Sequence, residues 1–246
     1  MNISTKTDIG LVRTENQDSV WGEMLSPASC AAVLCDGMGG ESDGGLASAI
    51  AVDVISKRIK ESFSEMMNRN SVRNLLITAV VAANSIVYEE AQKRAEHTVM
   101  GTTCVAAIVF NGTAYIVNVG DSRAYKVFST ETDDCILQVT KDHSRVQELV
   151  DKGQITPEEA KHHPQSNIIT RAIGADSIVT PDYFEIELEE GQKLLLCSDG
   201  LSSYGDDFDI MDICCYFESE AACDGLIQYA NKNGGNDNTS VALITA

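Results

Sequence analysis

Four aspartates stand where apolar runs of this sequence end, and they are the residues best placed to do chemistry. Asp36 and Asp199 each follow a short apolar run and each precede a glycine. Asp121 follows another such run, and Asp237 lies in a glycine-rich segment just before the last one. Runs of this kind are typical of buried strands, so we expect the four carboxylates to emerge at the edge of a sheet and meet at one site.

A cluster of carboxylates without matching Lys or Arg side chains repels itself, and bound hard cations would relieve that repulsion. Oxygen ligands favour Mg²⁺ or Mn²⁺. Zinc is disfavoured because the four His are not spaced as ligands and the eight Cys form no C-x-x-C pair. The chain has no G-x-S-x-G, no G-x-G-x-x-G and no P-loop lysine, so covalent catalysis and ATP binding through those motifs have no candidate.

Composition narrows the possible partners. The chain has 246 residues and a net charge of −19, which argues against nucleic acid or an anionic membrane as partner.

We expect a single domain over 1–246, since no segment has the composition of a linker. The N-terminus lacks the apolar centre of a signal peptide and several cysteines lie in apolar runs, so we expect a cytoplasmic protein with reduced, mostly buried thiols.

Hydrophobic periodicity predicts strands in bursts separated by helix pairs. Helical spacing runs over 47–59 and 72–87, the latter leading into a charged stretch that ends at His97. Apolar runs on both sides of Asn111-Gly112 predict a β-hairpin. Two helices over 206–232 precede a final strand, which together indicates an α+β fold with largely antiparallel sheets.

Residues 141–181 differ from the rest: they are polar, with a short helical pattern over 144–152, and are interpreted as a surface excursion beside the site. His143, His162 and His163 lie in this excursion, and we expect them to be surface residues rather than catalysts.

Eight segments in order resemble one family, the metal-dependent serine/threonine protein phosphatases of type 2C, particularly the compact bacterial ones. The segments are "DIGLVRTENQD" (8–18), "LCDGMGG" (34–40), "GTT" (101–103), "VGDSRAY" (119–125), "KDHS" (141–144), "NIITRAIGAD" (167–176), "CSDGL" (197–201) and "GGNDNTSVALI" (234–244). The resemblance covers essentially the whole chain and implies a four-layer αββα sandwich, in which two mostly antiparallel central sheets are flanked by helix pairs. It also identifies the 141–181 excursion as the flap beside the catalytic cleft.

The resemblance also implies a site with two Mn²⁺ or Mg²⁺ ions. Asp36 would bridge both ions, Asp199 and Asp237 would complete the first, and the carbonyl of Gly37 would contribute to the second. Asp18 would hold waters bound to the metals. Two such ions would lower the pKa of a bridging water and favour in-line attack on phosphorus.

Two further residues receive roles by the same resemblance. Arg13 would hold the substrate phosphate in bidentate fashion, and Asp121 with Asp199 would hold a weaker third ion. Each has an alternative: Arg13 could be a solvated charge at a strand end, and Asp121 could cap the next element. Asp36 taken alone could be no more than a turn residue.

Four positions depart from the pattern of relatives. Gln17 stands where many have an acidic residue, so the second ion would rely more on water. Met38 replaces a histidine proposed as general acid in animal relatives, so a water at the metals would protonate the leaving group. Ser203 replaces a carboxylate for the third ion, and Ser166 replaces a basic residue of the flap.

The sequence therefore predicts an enzyme that hydrolyses phosphoserine or phosphothreonine in proteins. We expect its partners to be phosphoproteins and a Ser/Thr kinase with its substrates, and we expect a monomer that binds neither nucleic acid nor membrane. Two alternatives remain: a non-catalytic relative that binds phosphoproteins, and a phosphatase for small phosphorylated metabolites. The presence of Asp36, Asp199 and Asp237 argues against the first.

Overall fold

Two antiparallel sheets form the centre of the molecule. The computed structural model describes residues 1–40, 43–94, 100–130 and 133–246. The strands are β1 (Asn2–Asp8), β2 (Asp18–Ser26), β3 (Ser29–Gly39), β4 (Met100–Thr102), β5 (Cys104–Phe110), β6 (Thr113–Val119), β7 (Arg123–Ser129), β8 (Asp134–Gln138), β9 (Asp182–Glu187), β10 (Lys193–Cys197) and β11 (Thr239–Thr245). One sheet has the order β1-β11-β10-β7-β8, and the other has the order β2-β3-β5-β6-β9 with β4 paired to β3.

Helices cover the outer face of each sheet. The helices of the described ranges are α1 (Asp43–Ser62), α2 (Arg69–Gln92), α3 (Arg145–Asp151), α4 (Pro157–Lys161), α5 (Asp199–Ser202), α6 (Asp207–Tyr216) and α7 (Ser219–Lys232). The helix pair α1 and α2 packs on the β3 sheet, while α6 and α7 pack on the β11 sheet. The predicted four-layer αββα sandwich is therefore confirmed.

Three apolar layers hold the four structural layers together. The middle layer lies between the sheets, and alternate residues of β3 and β11 enter it, among them Leu34 and Ile244. The outward-facing alternates, such as Val33 and Leu243, pack against the helices instead. Because both faces of these central strands are covered, they appear in the sequence as continuous apolar runs rather than as alternating ones.

The predicted hairpin is present with the register that its turn requires. Asn111 and Gly112 have φ angles of 50° and 70°, as a two-residue turn between twisted strands demands. Val109 then pairs with Ala114 and Cys104 with Val119. The hairpin delivers the chain to Gly120 and Asp121 at one end of the sandwich.

The long helix α2 is a core helix. By length and apolar composition alone, it is the one helix in the described ranges that could cross a membrane. Its inner face is fully buried against the β3 sheet through Val72, Leu76, Ala79, Val80, Ala83 and Val87. The helix ends at Gln92, and residues 95–99, which include His97, lie outside the described residues.

The cysteines agree with the prediction of reduced, mostly buried thiols. All eight are free, and Cys135 and Cys215 alone among them are partly exposed. The polar excursion over 141–181 is also confirmed in outline: it contains α3 and α4 and then runs without further helix or strand to β9. It returns to the sheets through isolated bridges between Ser144 and Ile169 and between Thr102 and Ile173.

Candidate active site

Five strand ends bring the predicted aspartates to one end of the sandwich. Asp18 begins β2 and pairs directly with Asp36 of β3. Asp121 follows β6, Asp199 follows β10 and begins α5, and Asp237 precedes β11. The cleft acids Asp36, Asp121, Asp199 and Asp237 therefore converge at this one end of the two sheets.

A cleft of about 480 Å³ opens at this edge. It is lined by six of the seven predicted site residues, namely Arg13, Asp36, Gly37, Asp121, Asp199 and Asp237. The loop before β2 forms one wall, and Asn167 and Ile169 of the flap form another. Ser203 and Tyr204, which follow α5, complete the opening. Six residues predicted from widely separated segments therefore lie in one cleft.

The seventh predicted residue, Asp18, lies beneath the cleft and is 8% exposed. Its Oδ2 accepts a hydrogen bond of 2.8 Å from Ser198 Oγ. Its Oδ1 is buried and has no hydrogen-bond partner among the described residues. A buried carboxylate oxygen without a donor is costly, so this atom fits a bound water or cation rather than a purely structural role.

The clustered carboxyl groups strongly perturb one another. Burial raises the pKa of Asp36 well above its usual range, and the charges of Asp18, Asp199 and Asp121 raise it further. Burial likewise raises the pKa of Asp18 and of Asp121 to about 7 in each case. The pKa of Asp199 is raised by burial and by Asp237. Such a group of acids favours either retained protons or a divalent cation.

The donor set fits Mg²⁺ or Mn²⁺. It consists of carboxylate oxygens and the carbonyl of Gly37, which are hard oxygen ligands. Within the described part of the chain, no group of three or more His, Cys, Asp or Glu side chains is arranged to hold an ion by itself. Mg²⁺ is compatible with this because it commonly takes one or two carboxylates and keeps several waters.

Arg13 lies in the cleft wall and contacts one of the acids. Its Nη2 donates a hydrogen bond of 2.7 Å to Asp237 Oδ2, and this bond is the largest cause of the raised pKa of Arg13. The loop that carries Arg13 is held by Asn238, whose Nδ2 donates to the carbonyls of Ile9 and Glu15 at 2.9 Å each. Asn238 therefore anchors the loop that carries Arg13, and it directly follows Asp237 in the sequence.

The chain as a whole matches one described family. The family model for Protein phosphatase 2C matches residues 12–222. The chain belongs to the protein phosphatase 2C family. This membership confirms the resemblance.

Relatives of the chain extend over nearly the same length. Protein phosphatase PhpP of Streptococcus pneumoniae is 36% identical over 246 residues, which are 100% of this chain and 97% of that protein. Serine/threonine phosphatase stp of Listeria monocytogenes serovar 1/2a is 34% identical over 246 residues, which are 99% of this chain and 95% of that protein.

Solved structures of the family share the fold. Serine/threonine phosphatase Stp1 from Staphylococcus aureus is 39% identical with a TM-score of 0.89, covering 99% of this chain and 94% of that one. The catalytic domain of the phosphatase PstP, solved in complex with two manganese ions, is 31% identical with a TM-score of 0.81, covering 98% of this chain and 96% of that one. The predicted dependence of this phosphatase on divalent metal agrees with these findings.

Three of the positions that depart from the family pattern lie at the cleft. Gln17, Met38 and Ser203 all line it. Gln17 uses its side chain to donate to the carbonyl of Gly40 at 3.3 Å. Ser166, the fourth departure, lies in the flap and donates to Asn167 Oδ1 at 3.2 Å.

Thr103 and Ser198 support the site, although no role was predicted for either. Thr103 Oγ1 accepts from the backbone amide of Asp36 at 2.9 Å, and the Thr103 amide donates to the Asp36 carbonyl at 2.8 Å. Ser198 Oγ accepts from the amide of Ser240 at 2.9 Å while donating to Asp18. The motifs "GTT" and "CSDGL" contain these residues, but their hydrogen bonds depend on which strands are neighbours.

One prediction about the flap is wrong. His143 was expected at the surface, yet it is only 7% exposed and burial lowers its pKa. The reason is that the chain enters the flap beneath the 120–122 turn, to which His143 is hydrogen-bonded. His162 is exposed and His163 half-buried, as residues outside the core. Asp121 faces the cleft, and the element that follows it is the strand β7, so a helix-capping role does not apply.

Proposed function

We propose that this phosphatase hydrolyses phosphoserine and phosphothreonine in proteins. The observation that carries the proposal is the convergence of Asp36, Asp121, Asp199, Asp237 and Arg13 on one cleft. Acids and a single arginine in the same cleft suit a phosphate monoester only if cations offset the acids. The relatives are named as protein phosphatases, which does not favour either alternative function.

In this proposal the cleft acids hold the cations. Asp36, Asp199, Asp237 and the carbonyl of Gly37 would together hold two divalent ions. When bound, the ions supply an activated water for in-line attack and neutralise charge on the phosphoryl oxygens. Asp18 stays beneath the cleft and uses its free Oδ1 to orient water there. Asp121 and Asp199 would hold a weaker third ion.

Arg13 binds the phosphoryl group. A guanidinium has five N–H donors, and the hydrogen bond of Arg13 to Asp237 uses one of them. Others can meet two phosphate oxygens as a fork, which orients the phosphorus toward the acids. The half-exposed position of Arg13 leaves room for a protein substrate to reach it.

The leaving oxygen of serine or threonine must be protonated, and Met38 has no proton to give. We therefore assign that proton to water held in the cleft. The flap residues Asn167 and Ile169 border the same cleft, so the substrate backbone passes between the flap and the loop of Arg13.

The biological setting is part of the same proposal. A protein phosphomonoester has to be made by a kinase, so a Ser/Thr kinase is the opposing enzyme. We also propose a monomer located in the cytoplasm. Light scattering on the purified protein measures the mass, and fractionation of cells measures the location; a dimer or a membrane-bound pool would contradict these two points.

The decisive experiment is phosphate release from a phosphothreonine peptide in the presence of Mn²⁺, Mg²⁺ or EDTA. We expect turnover with either metal and none with excess EDTA. The enzyme should release phosphate more slowly from small sugar and nucleotide phosphates, which lack a peptide backbone. Full activity in EDTA, or a preference for the small phosphates, would contradict the proposal.

A further inference from the structure

A buried histidine links the flap to the turn that carries Asp121. His143 accepts a hydrogen bond of 3.0 Å at Nδ1 from the backbone amide of Gly120. The backbone amide of His143 donates in turn to the Gly120 carbonyl at 2.9 Å. One residue therefore holds both polar groups of the glycine that directly precedes Asp121.

The tautomer of His143 follows from these contacts. A backbone amide can only donate, so Nδ1 carries no proton and Nε2 carries it. Nε2 lies 3.3 Å from Asp182 Oδ2 and 3.0 Å from Arg171 Nη1, from which a protonated Nε2 cannot accept a hydrogen bond. Arg171 Nη1 donates to the other oxygen of Asp182 at 2.7 Å and to the Thr180 carbonyl at 2.8 Å. The amide of Gly120 and the nearby carboxylate of Asp182 together orient the ring with its unprotonated nitrogen toward Gly120.

The turn held by His143 has little freedom of its own. Gly120 has a φ of +102°, a conformation that side chains rarely adopt, and a Cβ there would overlap Thr103. Ser122, on the other side of Asp121, shares a hydrogen bond of 2.7 Å with Thr103. Asp121 therefore lies between two fixed points, His143 through Gly120 and Thr103 through Ser122.

The same histidine also ties the two ends of the flap together. The amide of Thr170 donates to the His143 carbonyl at 2.8 Å. Ser144 pairs with Ile169, which borders the cleft. A shift of the flap thus reaches Asp121 through the side chain of His143 and the peptide groups of Gly120, beside which Asn118 Nδ2 donates to the carbonyls of Gly120 and Lys141 at 3.2 and 3.4 Å.

We propose that His143 is a positioning residue that orients Asp121 through the amide of Gly120 without touching the substrate. This inference rests on the proposed metal role of Asp121. The critical atom is the acceptor Nδ1, while the Nε2 contact with Asp182 only sets the tautomer.

Two substitutions test the roles of the two ring nitrogens of His143 separately. In His143→Asn the amide oxygen can occupy the place of Nδ1 and accept from Gly120, but nothing reaches Asp182. In His143→Gln the longer amide can reach Asp182 but offers no acceptor at Gly120. His162→Gln, an exposed position in the same flap, is the matched control.

We expect His143→Asn and His162→Gln to retain kcat/KM and the Mn²⁺ concentration for half-maximal activity. We expect His143→Gln to lose roughly 10-fold in kcat/KM, because the buried amide of Gly120 is left without an acceptor. The Mn²⁺ requirement of the Gln variant should rise in parallel. Equal losses in both variants, or none in the Gln variant, would overturn the proposal.

Amide hydrogen exchange gives a readout that does not depend on activity. The amides of residues 120–122 should exchange faster in His143→Gln than in the wild type and remain protected in His143→Asn. If the wild type releases no phosphate, the proposed function fails while this exchange pattern still tests the positioning role. If His143→Gln does not fold, the Asn variant decides alone, and lost protection or a lost Mn²⁺ response there contradicts the proposal.

Discussion

Arg13 and Asp237 are 224 residues apart in the chain, and the guanidinium of one donates to the carboxylate of the other at 2.7 Å. The arginine side chain is 55% exposed and the carboxylate 25% exposed. A pair this accessible to water contributes only about 0 to 1 kcal/mol to the free energy of unfolding. Its importance is that a proposed phosphate-binding cation and a proposed metal ligand hold each other in the cleft.

Arg13→Ala should therefore impair catalysis much more than metal binding. Loss of charge-assisted hydrogen bonds worth about 1.5 to 3 kcal/mol lowers kcat/KM on a phosphopeptide roughly 10- to 150-fold. The Mn²⁺ affinity should stay the same or rise slightly, since Asp237 loses its competing partner. Arg13→Lys should restore part of the activity, because a point charge cannot reproduce the fork.

Steady-state kinetics and Mn²⁺ titration of the two Arg13 variants test this expectation. Arg58→Ala is the matched control, because Arg58 is exposed on α1 away from the cleft. An unchanged kcat/KM for Arg13→Ala would show that Arg13 is only a solvated charge and does not bind the phosphate.

Asp36→Asn should abolish turnover and yet stabilise the protein in EDTA. Burial and three neighbouring acids raise the pKa of Asp36, so a neutral amide removes an unfavourable charge from the cluster. In the wild type, Mn²⁺ at a hundredfold excess over its dissociation constant should add about 2.7 kcal/mol to the free energy of unfolding. The variant should lose most of that increment.

Thermal melts with Mn²⁺ and with EDTA measure both effects for Asp36→Asn. Asp53→Asn, an exposed carboxylate on α1, should behave like the wild type in both conditions. A wild-type melting temperature that ignores Mn²⁺ would show that the acids of the cleft are not the metal site.

Much of the fold could be predicted because the pattern of each central element is local. Asn111-Gly112 marks its hairpin by turn chemistry alone, and α2 shows helical spacing over several turns. The strands β1 and β2 were not predicted, since β1 lies at a sheet edge, half-exposed, and its sequence mixes polar and apolar residues without clear alternation. The short helices α4 and α5 are too brief to show a period.

The site also contains residues that the sequence could identify and residues that it could not. The acids could be identified because each ends an apolar run within a motif. The support from Thr103 and the burial of His143 could not, because each depends on a hydrogen bond to a segment distant in sequence, at Asp36 and at Gly120. Strand order and register decide these neighbours, and neither is visible in a local pattern.

The stability of the ion-free protein should fall as the pH rises from about 4 to about 7. The carboxyl of Asp18 has an unfolded pKa of 3.8 and a folded pKa of about 7, with burial the main cause. Across this window the folded state binds more protons than the unfolded state, so raising the pH favours unfolding. Asp121 has the same shift to about 7 and acts in the same direction.

Urea unfolding in EDTA at about pH 5 and about pH 8 measures this dependence. Asp18→Asn should make it shallower, with Asp121 still contributing, while Asp53→Asn should leave it unchanged. Saturating Mn²⁺ should also flatten it in the wild type, because the ions replace the retained protons. A wild-type free energy of unfolding that increases with pH in EDTA would contradict the assignment of protonated acids in the cleft.

Two parts of the Thr103 side chain, its hydroxyl and its methyl group, should affect activity and stability differently. Its hydroxyl accepts from the amide of Asp36 at 2.9 Å and shares a bond with Ser122, while its methyl group packs where a Gly120 side chain would lie. Thr103→Val keeps the shape but leaves the buried Asp36 amide without an acceptor, at a cost of about 1 to 3 kcal/mol. Thr103→Ser keeps the hydroxyl and removes a buried methyl group, at a cost of about 1 kcal/mol.

The two Thr103 variants should therefore differ in kind. Both should unfold at lower urea concentration than the wild type, but only Thr103→Val should lose kcat/KM, because Asp36 is displaced only when the hydroxyl is absent. Its Mn²⁺ requirement should rise in parallel, whereas Thr103→Ser should retain wild-type kinetics at temperatures where it is folded. Urea melts, phosphopeptide kinetics and Mn²⁺ titration on the same preparations provide the comparison. If both variants lose activity in proportion to their stability, Thr103 supports only the fold and does not orient Asp36.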